Sequence, residues 1–242
     1  MLFFFPMISV IIPTYNEAEH IGKLVSYLLR HGGELLTEVI VADGGSQDQT
    51  LALAEAAGAQ AFISPVKGRA GQMNAACQRA KSSVFYFVHA DTLPTPSFAQ
   101  DIANALQEGY LMGGYWFKFD SPKPMLRLSE WFSRQKLFFS RGGDQSIFVE
   151  RAFFERLGAY DERFVVMEEY DFLRKARRQA AFKVIPKATL VSARKYEQNS
   201  WLRVNFANFI AVMMFRWGYA PLRILNTYKK LIKHPKADAP VS

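Results

Sequence analysis

One cysteine, Cys77, stands in a chain of 242 residues. A lone thiol closes no internal disulfide and builds no zinc cluster, and a reducing compartment is compatible with it. No stretch reaches the ~20 apolar residues needed to span a bilayer. The N-terminal MLFFFPMISVIIP has neither the basic n-region nor the small-residue cleavage site of a secretory leader. It reads as a first buried strand behind a short apolar lead. Neither G-x-G-x-x-G nor G-x-x-x-x-G-K-[ST] occurs, which removes the dinucleotide fingerprint and the Walker phosphate loop. There is no internal repeat. No recognised nucleic-acid module accompanies the basic residues, so nucleic acid is not the expected partner.

What is present is apolar bulk and lopsided charge. Half of the residues are apolar, enough for a sizeable core, and the length suits one large α/β domain or a smaller one with an appendage. Residues 172–242 hold 15 Lys+Arg against 2 Asp+Glu, whereas residues 1–171 hold 15 against 20. The acidic part suits metal chemistry. The basic part suits phosphates or a membrane surface. From His234 onward, Pro, Ala and charge offer no core pattern, and a disordered tail is expected.

Strand-like runs alternate with helical periods. Ile8 to Ile12 is β-rich. Ile21, Leu24, Val25, Leu28 and Leu29 recur at helical spacing, with Asn16 ahead of them as a cap. Glu38 to Ala42 reads as a second strand, and Leu51, Ala54 and Ala57 mark a helix. Ala61 to Ile63 is a short third strand. Ala70, Met73, Ala76, Cys77 and Ala80 share the face of another helix. Val84 to Val88 is a fourth strand, and Ser97 caps a helix carrying Phe98, Ile102 and Leu106. After residue 110 come an aromatic strand at Tyr110–Phe119, a helix at Leu126–Phe139 and a strand at Gln145–Val149. A helix at Glu168–Arg178 and two closing strands, Phe182–Ile185 and Thr189–Ala193, complete the pattern. Alternating β and α units predict a mostly parallel sheet covered on both faces. Ligands of such sheets bind beyond the carboxyl ends of the strands.

Three polar clusters fall at those ends: Thr14-Tyr15-Asn16-Glu17, Asp43-Gly44-Gly45-Ser46 and His89-Ala90-Asp91. A carboxylate at Asp91, closing an apolar strand, suits a divalent ion whose other ligands are water and phosphate oxygens; a turn-forming Asp before Pro94 is the blander reading. Asp43 can accept from a nucleobase N–H or a ribose hydroxyl, or else serve a strand-to-helix loop with Ser46 or Asp48 as cap. Lys67 and Arg69 flank Gly68 ahead of a helix, which suits an anion as well as a solvated loop. Arg141-Gly142-Gly143-Asp144-Gln145 can line an acceptor pocket. Glu168, Glu169 and Asp171 open a helix, where its dipole favours acids and where a general base can also stand. Between Trp201 and Trp217, apolar residues recur at steps of three and four, followed by Lys229, Lys230 and Lys233. This segment suits a membrane interface and equally a helix packed on the domain or on a partner subunit.

The blocks ISVIIPTYNE, VIVADGGSQDQT, KGRAGQMNAAC, FVHADT, GGDQSIFVER and MEEYDF occur in that order. Together they resemble the family 2 glycosyltransferases of GT-A fold, especially small bacterial members, over roughly residues 7–195. The resemblance implies a GT-A domain over 1–198 and a helical extension over 199–233. It implies inverting transfer of a sugar from a UDP- or GDP-type donor, with Mg²⁺ or Mn²⁺. The acceptor expected is a hydroxyl or a lipid phosphate, and the setting expected is the cytoplasm, up to the inner face of the cell membrane. By position, Pro13, Tyr15 and Glu17 would edge the nucleotide pocket and Asp43 would read the base. Lys67, Arg69 and Asn74 would lie near the nucleotide or its phosphates, with His89 and Ala90 beside it. Asp91 would bind the metal, Asp144 and Gln145 would lie beside acceptor and sugar, and Glu169 would be the base, with Glu168 and Asp171 as contenders. His89 stands where the family commonly has the first Asp of Asp-X-Asp, and Glu169 where Asp is commoner. A sugar nucleotidyltransferase is the same-fold rival, yet PTYNE occupies the place of its Gly-rich basic loop. A binding module without catalysis is the rival from another class.

Overall fold

In a computed structural model, residues 7–134 and 146–233 are described. The apolar lead before Met7, residues 135–145, with the end of the helix expected at Leu126–Phe139 and with Asp144 and Gln145, and the tail from His234 lie outside the described residues. Among the described residues, eight strands form one sheet in the order β3-β2-β1-β4-β7-β6-β8-β5. The ranges are β1 (Ile8–Thr14), β2 (Leu36–Asp43), β3 (Gln60–Ile63), β4 (Val84–Phe87), β5 (Thr92–Leu93), β6 (Met112–Phe119), β7 (Phe148–Glu150) and β8 (Phe182–Val191). The ladders β1–β2, β1–β4, β2–β3 and β6–β8 are parallel, and β7 and β5 pair antiparallel with their neighbours.

The period of two along each central strand sends alternate side chains to opposite faces. Val10, Ile12, Val39, Val41 and Tyr86 meet one core, with Ile21, Leu24, Val25 and Leu28 of α1 (Ile21–Gly32), Ala54 of α2 (Thr50–Ala56) and Phe98 and Ile102 of α4 (Phe98–Gln107). Ile11, Ile40, Ala42, Phe85 and Phe87 meet the other. That face is covered by α3 (Arg69–Arg79), α6 (Arg151–Arg156) and α7 (Glu168–Ala176). Between β6 and β7, α5 runs from Leu126 to Ser133. After β8, α8 (Trp201–Arg216) and α9 (Pro221–Leu231) pack on one another and on Phe164, Val166, Met167 and Tyr170.

Four local expectations need correction. Asn16 does not cap α1, whose first flanking residue is His20. Asn16 instead has φ 50° and holds the neighbouring loop, accepting from the Gln47 N–H at 2.9 Å. The residue ahead of α2 is Gln49 rather than Ser46 or Asp48, although Asp48 still accepts from the Thr50 N–H at 3.0 Å. Ser97 precedes α4 but makes no cap bond, because its hydroxyl donates to Asp101 at 2.8 Å. The two closing strands are one strand, β8. Its register along β6 jumps from Ile185 to Ala188, so Pro186 and Lys187 bulge out without ending the ladder.

Candidate active site

Because β1, β2 and β4 run parallel, their carboxyl ends share one edge. At the first two, Thr14 pairs with Asp43 in the ladder, and the Thr14 hydroxyl donates to Asp43 Oδ2 at 3.0 Å. Asp43 is buried and also accepts from the Gly45 and Ser46 N–H groups at 2.8 and 2.7 Å and from the Ser46 hydroxyl at 2.6 Å. Gly45 turns at φ 91°, which side-chain-bearing residues rarely adopt. From α3, the buried Gln72 amide donates to the carbonyls of Thr14 and Ala42 at 2.7 and 2.8 Å, locking both strand ends. Pro13 is buried in β1, and Tyr15 is half-buried beyond it.

Arg194 ties two of the acids together. Its guanidinium donates to both oxygens of Glu17, at 3.0 and 2.9 Å, and to Asp91 Oδ2 at 3.0 Å. The fork geometry of arginine suits such bidentate contact. Arg194 is placed by β8, whose end pairs with β5 immediately after Asp91: Thr92 faces Val191, and the Ser192 N–H donates to the Asp91 carbonyl at 3.0 Å. Sequence reasoning missed both Arg194 and Gln72. Nothing distinguishes Arg194 from the other basic residues of its stretch until β8 folds back beside Asp91.

The third acid group comes from α7. Its N-terminus follows Met167, held at φ 67°, a left-handed conformation that costs a non-glycine residue ~1 kcal/mol or more and recurs at functional sites. His89 Nε2 lies 3.4 Å from Glu169 Oε1, and Arg69 Nε lies 2.8 Å from Glu168 Oε1. Burial by itself would raise the Glu169 carboxyl, but the His89 hydrogen bond and the positive charges of His89 and Arg69 hold it below the ordinary carboxylate range. Glu168 moves the other way, since burial pushes it up more strongly than Arg69 pulls it down. Burial alone would lower the His89 imidazole, and Glu169 more than offsets this and raises it.

The acids of four segments, after β1, β2 and β4 and at the start of α7, are thus joined by direct contacts through Thr14, Arg194 and His89. Ala90 is buried between His89 and Asp91. Lys67 is exposed at the approach to α3. Asn74 is turned to the loop before α7, donating to the Tyr160 carbonyl at 2.9 Å and to Glu162 at 3.0 Å. Asp171 faces Arg174 and Lys175, each at 2.6 Å, rather than His89.

A mixed α/β sheet with this acid-lined strand edge is the GT-A glycosyltransferase fold, as solved structures show. The mannosyltransferase PcManGT from Pyrobaculum calidifontis, solved with GDP-Man and Mn²⁺, superposes with a TM-score of 0.67 at 18% identity, covering 95% of this chain and 70% of that one. S. aureus TarS in complex with UDP-GlcNAc gives 0.64 at 18% identity, over 91% and 69%. The family model of glycosyl transferase family 2 matches residues 9–164, and the chain belongs to that family. Glucosyl-3-phosphoglycerate synthase of Mycolicibacterium smegmatis is 30% identical over 108 residues, 41% of this chain and 36% of that protein. The matched stretch is therefore about a third of that relative's length.

Proposed function

We propose that the chain moves a sugar, with inversion, from a UDP- or GDP-type donor to a hydroxyl or lipid-phosphate acceptor, with Glu169 as the general base. The observation that supports this most is the contact of His89 with Glu169, two residues from Asp91. It sets an ionised carboxylate against the strand end where a donor diphosphate would lie. Two adjacent carboxyls whose environments pull them apart mark the division of acid and base roles. Glu169 is the one held ionised, ready to take the acceptor proton. On this reading Asp43 closes the nucleotide side through its loop, with Tyr15 and Lys67 as the residues that would border it.

Asp91 is the residue that would hold Mg²⁺ or Mn²⁺. Its side chain is about a quarter exposed. Among the described residues no three His, Cys, Asp or Glu side chains are placed to hold an ion by themselves. One or two carboxylates with phosphate and water suffice for Mg²⁺, so Asp91 fits. Such an ion, when bound, would offset charge on the departing nucleoside diphosphate. Arg194, already on Asp91, orients that carboxylate and brings a fixed positive charge to the same place.

The test is turnover of a donor by Glu169→Gln. We expect a loss of ~10² to 10⁴-fold with nucleoside diphosphate affinity retained. Full turnover, or the same loss on Glu168→Gln alone, would overturn the assignment.

A further inference from the structure

Helix α8 is apolar on two opposite faces. Val204, Ala207, Ala211, Met214 and Phe215 recur at steps of three and four and are buried. This face meets Ile224 of α9 and the segment from Phe164 to Tyr170 that leads into Glu168 and Glu169. At 3.6 residues per turn, Leu202, Phe206, Phe209 and Trp217 fall on the other side in a single stripe. They are 70, 57, 59 and 71% exposed. An exposed apolar patch marks an interaction surface.

The charge around the stripe identifies its partner. Residues 201–233 carry Arg203, Arg216, Arg223, Lys229, Lys230 and Lys233 and no Asp or Glu. A second copy docked through the same segment would bring a stretch with no acidic residue against itself, since a twofold contact is self-complementary. A surface of anionic lipid satisfies both features: aromatic side chains enter the headgroup boundary while arginine and lysine meet phosphate. Among the described residues no helix is long and apolar enough to cross a membrane, so the contact is one of lying on the surface.

We propose that the exposed stripe of α8, with the turn into α9, docks the protein on an anionic membrane surface. One face of α8 then braces the segment that carries the proposed base, and the opposite face rests on lipid. This places the enzyme where a lipid-linked acceptor would be presented, a clause that rests on the glycosyl-transfer reading. The docking itself does not.

Flotation of the full chain with vesicles tests it. Vesicles of phosphatidylcholine with a quarter phosphatidylglycerol should carry the protein up, and phosphatidylcholine alone should carry much less. The double variant Phe206→Ser, Phe209→Ser should bind about tenfold more weakly or worse, with an unchanged melting temperature because both positions are exposed. Arg216→Gln with Arg223→Gln should weaken binding to anionic vesicles and reduce its salt dependence. Absence of flotation with anionic vesicles overturns the proposal. So does binding that neither variant changes, or a dimer in sedimentation that dissolves in the Phe variant while vesicles are ignored. Donor hydrolysis in the same variants reports on the catalytic reading separately and should stay at the wild-type level.

Discussion

Arg194 holds Glu17 in a bidentate pair and reaches Asp91 from the same guanidinium, and Glu17 is almost wholly buried. Removing one member of such a pair leaves the other charge buried and unpaired, which costs about 3 kcal/mol. Arg194→Ala should lose that much in urea unfolding. Adding Glu17→Gln to it should return part of the loss, a coupling that a double-mutant cycle reads directly. If the two losses simply add, the pair is not what holds the site. Cys77 gives a second residue-scale expectation. It faces inward from α3, and burial pushes its thiol well above the ordinary value. Above about pH 8.5 the unfolded chain ionises this thiol and the folded chain does not, so stability falls as pH rises through that range. A melting temperature that drops between about pH 8 and 10 in wild type, and less in Cys77→Ala, checks the sign. The thiolate is the reactive form, so native Cys77 should resist Ellman's reagent until denaturant is added. At this scale Asp43 and Asp91 were legible in the sequence because each follows an apolar strand run, where a carboxylate is conspicuous. Arg194 was not, since its partners lie 177 and 103 residues away and meet it only through the β5–β8 ladder.

The start of α7 depends on an element far along the chain. Met167 adopts its left-handed turn while packed against Ala211, Met214, Phe215 and Ile224. Phe215 is buried there, with its ring centroid 5.9 Å from that of Phe164 and 6.2 Å from that of Tyr170. Truncating such a side chain leaves a cavity and costs about 3 kcal/mol or more. Phe215→Ala should therefore lose stability in denaturant. By loosening the turn before Glu169, it should also lower kcat more than it weakens donor binding. An unchanged kcat in folded protein would show that α8 is a passive neighbour. The central strands and their helices were readable because each carries one clear period, two or 3.6, over its whole length. The failures sit where that signal is short or broken. The strand β5 has two residues and no pattern of its own. Pro186, read as the end of a strand, occupies a bulge that needs no ladder hydrogen bond. The caps failed because the Asn16 side chain accepts from Gln47 across the loop, and the Ser97 hydroxyl donates to Asp101 of α4 itself.

For the molecule as a whole, the convergence of chain segments at one edge makes global stability a readout for binding of the proposed donor. The sites at Asp43, Asp91, Arg194 and Glu169 draw on β1, β2, β4, β8 and α7, so a ligand bound among them holds both faces of the sheet together. It binds the folded chain alone, because the unfolded chain has no such edge. At a hundredfold excess over Kd it should stabilise by ~2.7 kcal/mol, which for a domain of this size raises Tm by ~5–10 °C. UDP and GDP, each with Mn²⁺ and each with chelator, separate the contributions. A shift with one nucleotide and not the other identifies the base that the Asp43 loop accepts. A shift that needs Mn²⁺ assigns the diphosphate to a metal at Asp91. An equal shift in chelator transfers that work to Arg194 and Arg69, and Arg194→Lys should then lose most of it, because a point charge cannot reproduce the fork that now spans Glu17 and Asp91. No shift with either nucleotide, at concentrations where family-type donors saturate, would contradict the idea that these acids were gathered to hold a nucleoside diphosphate.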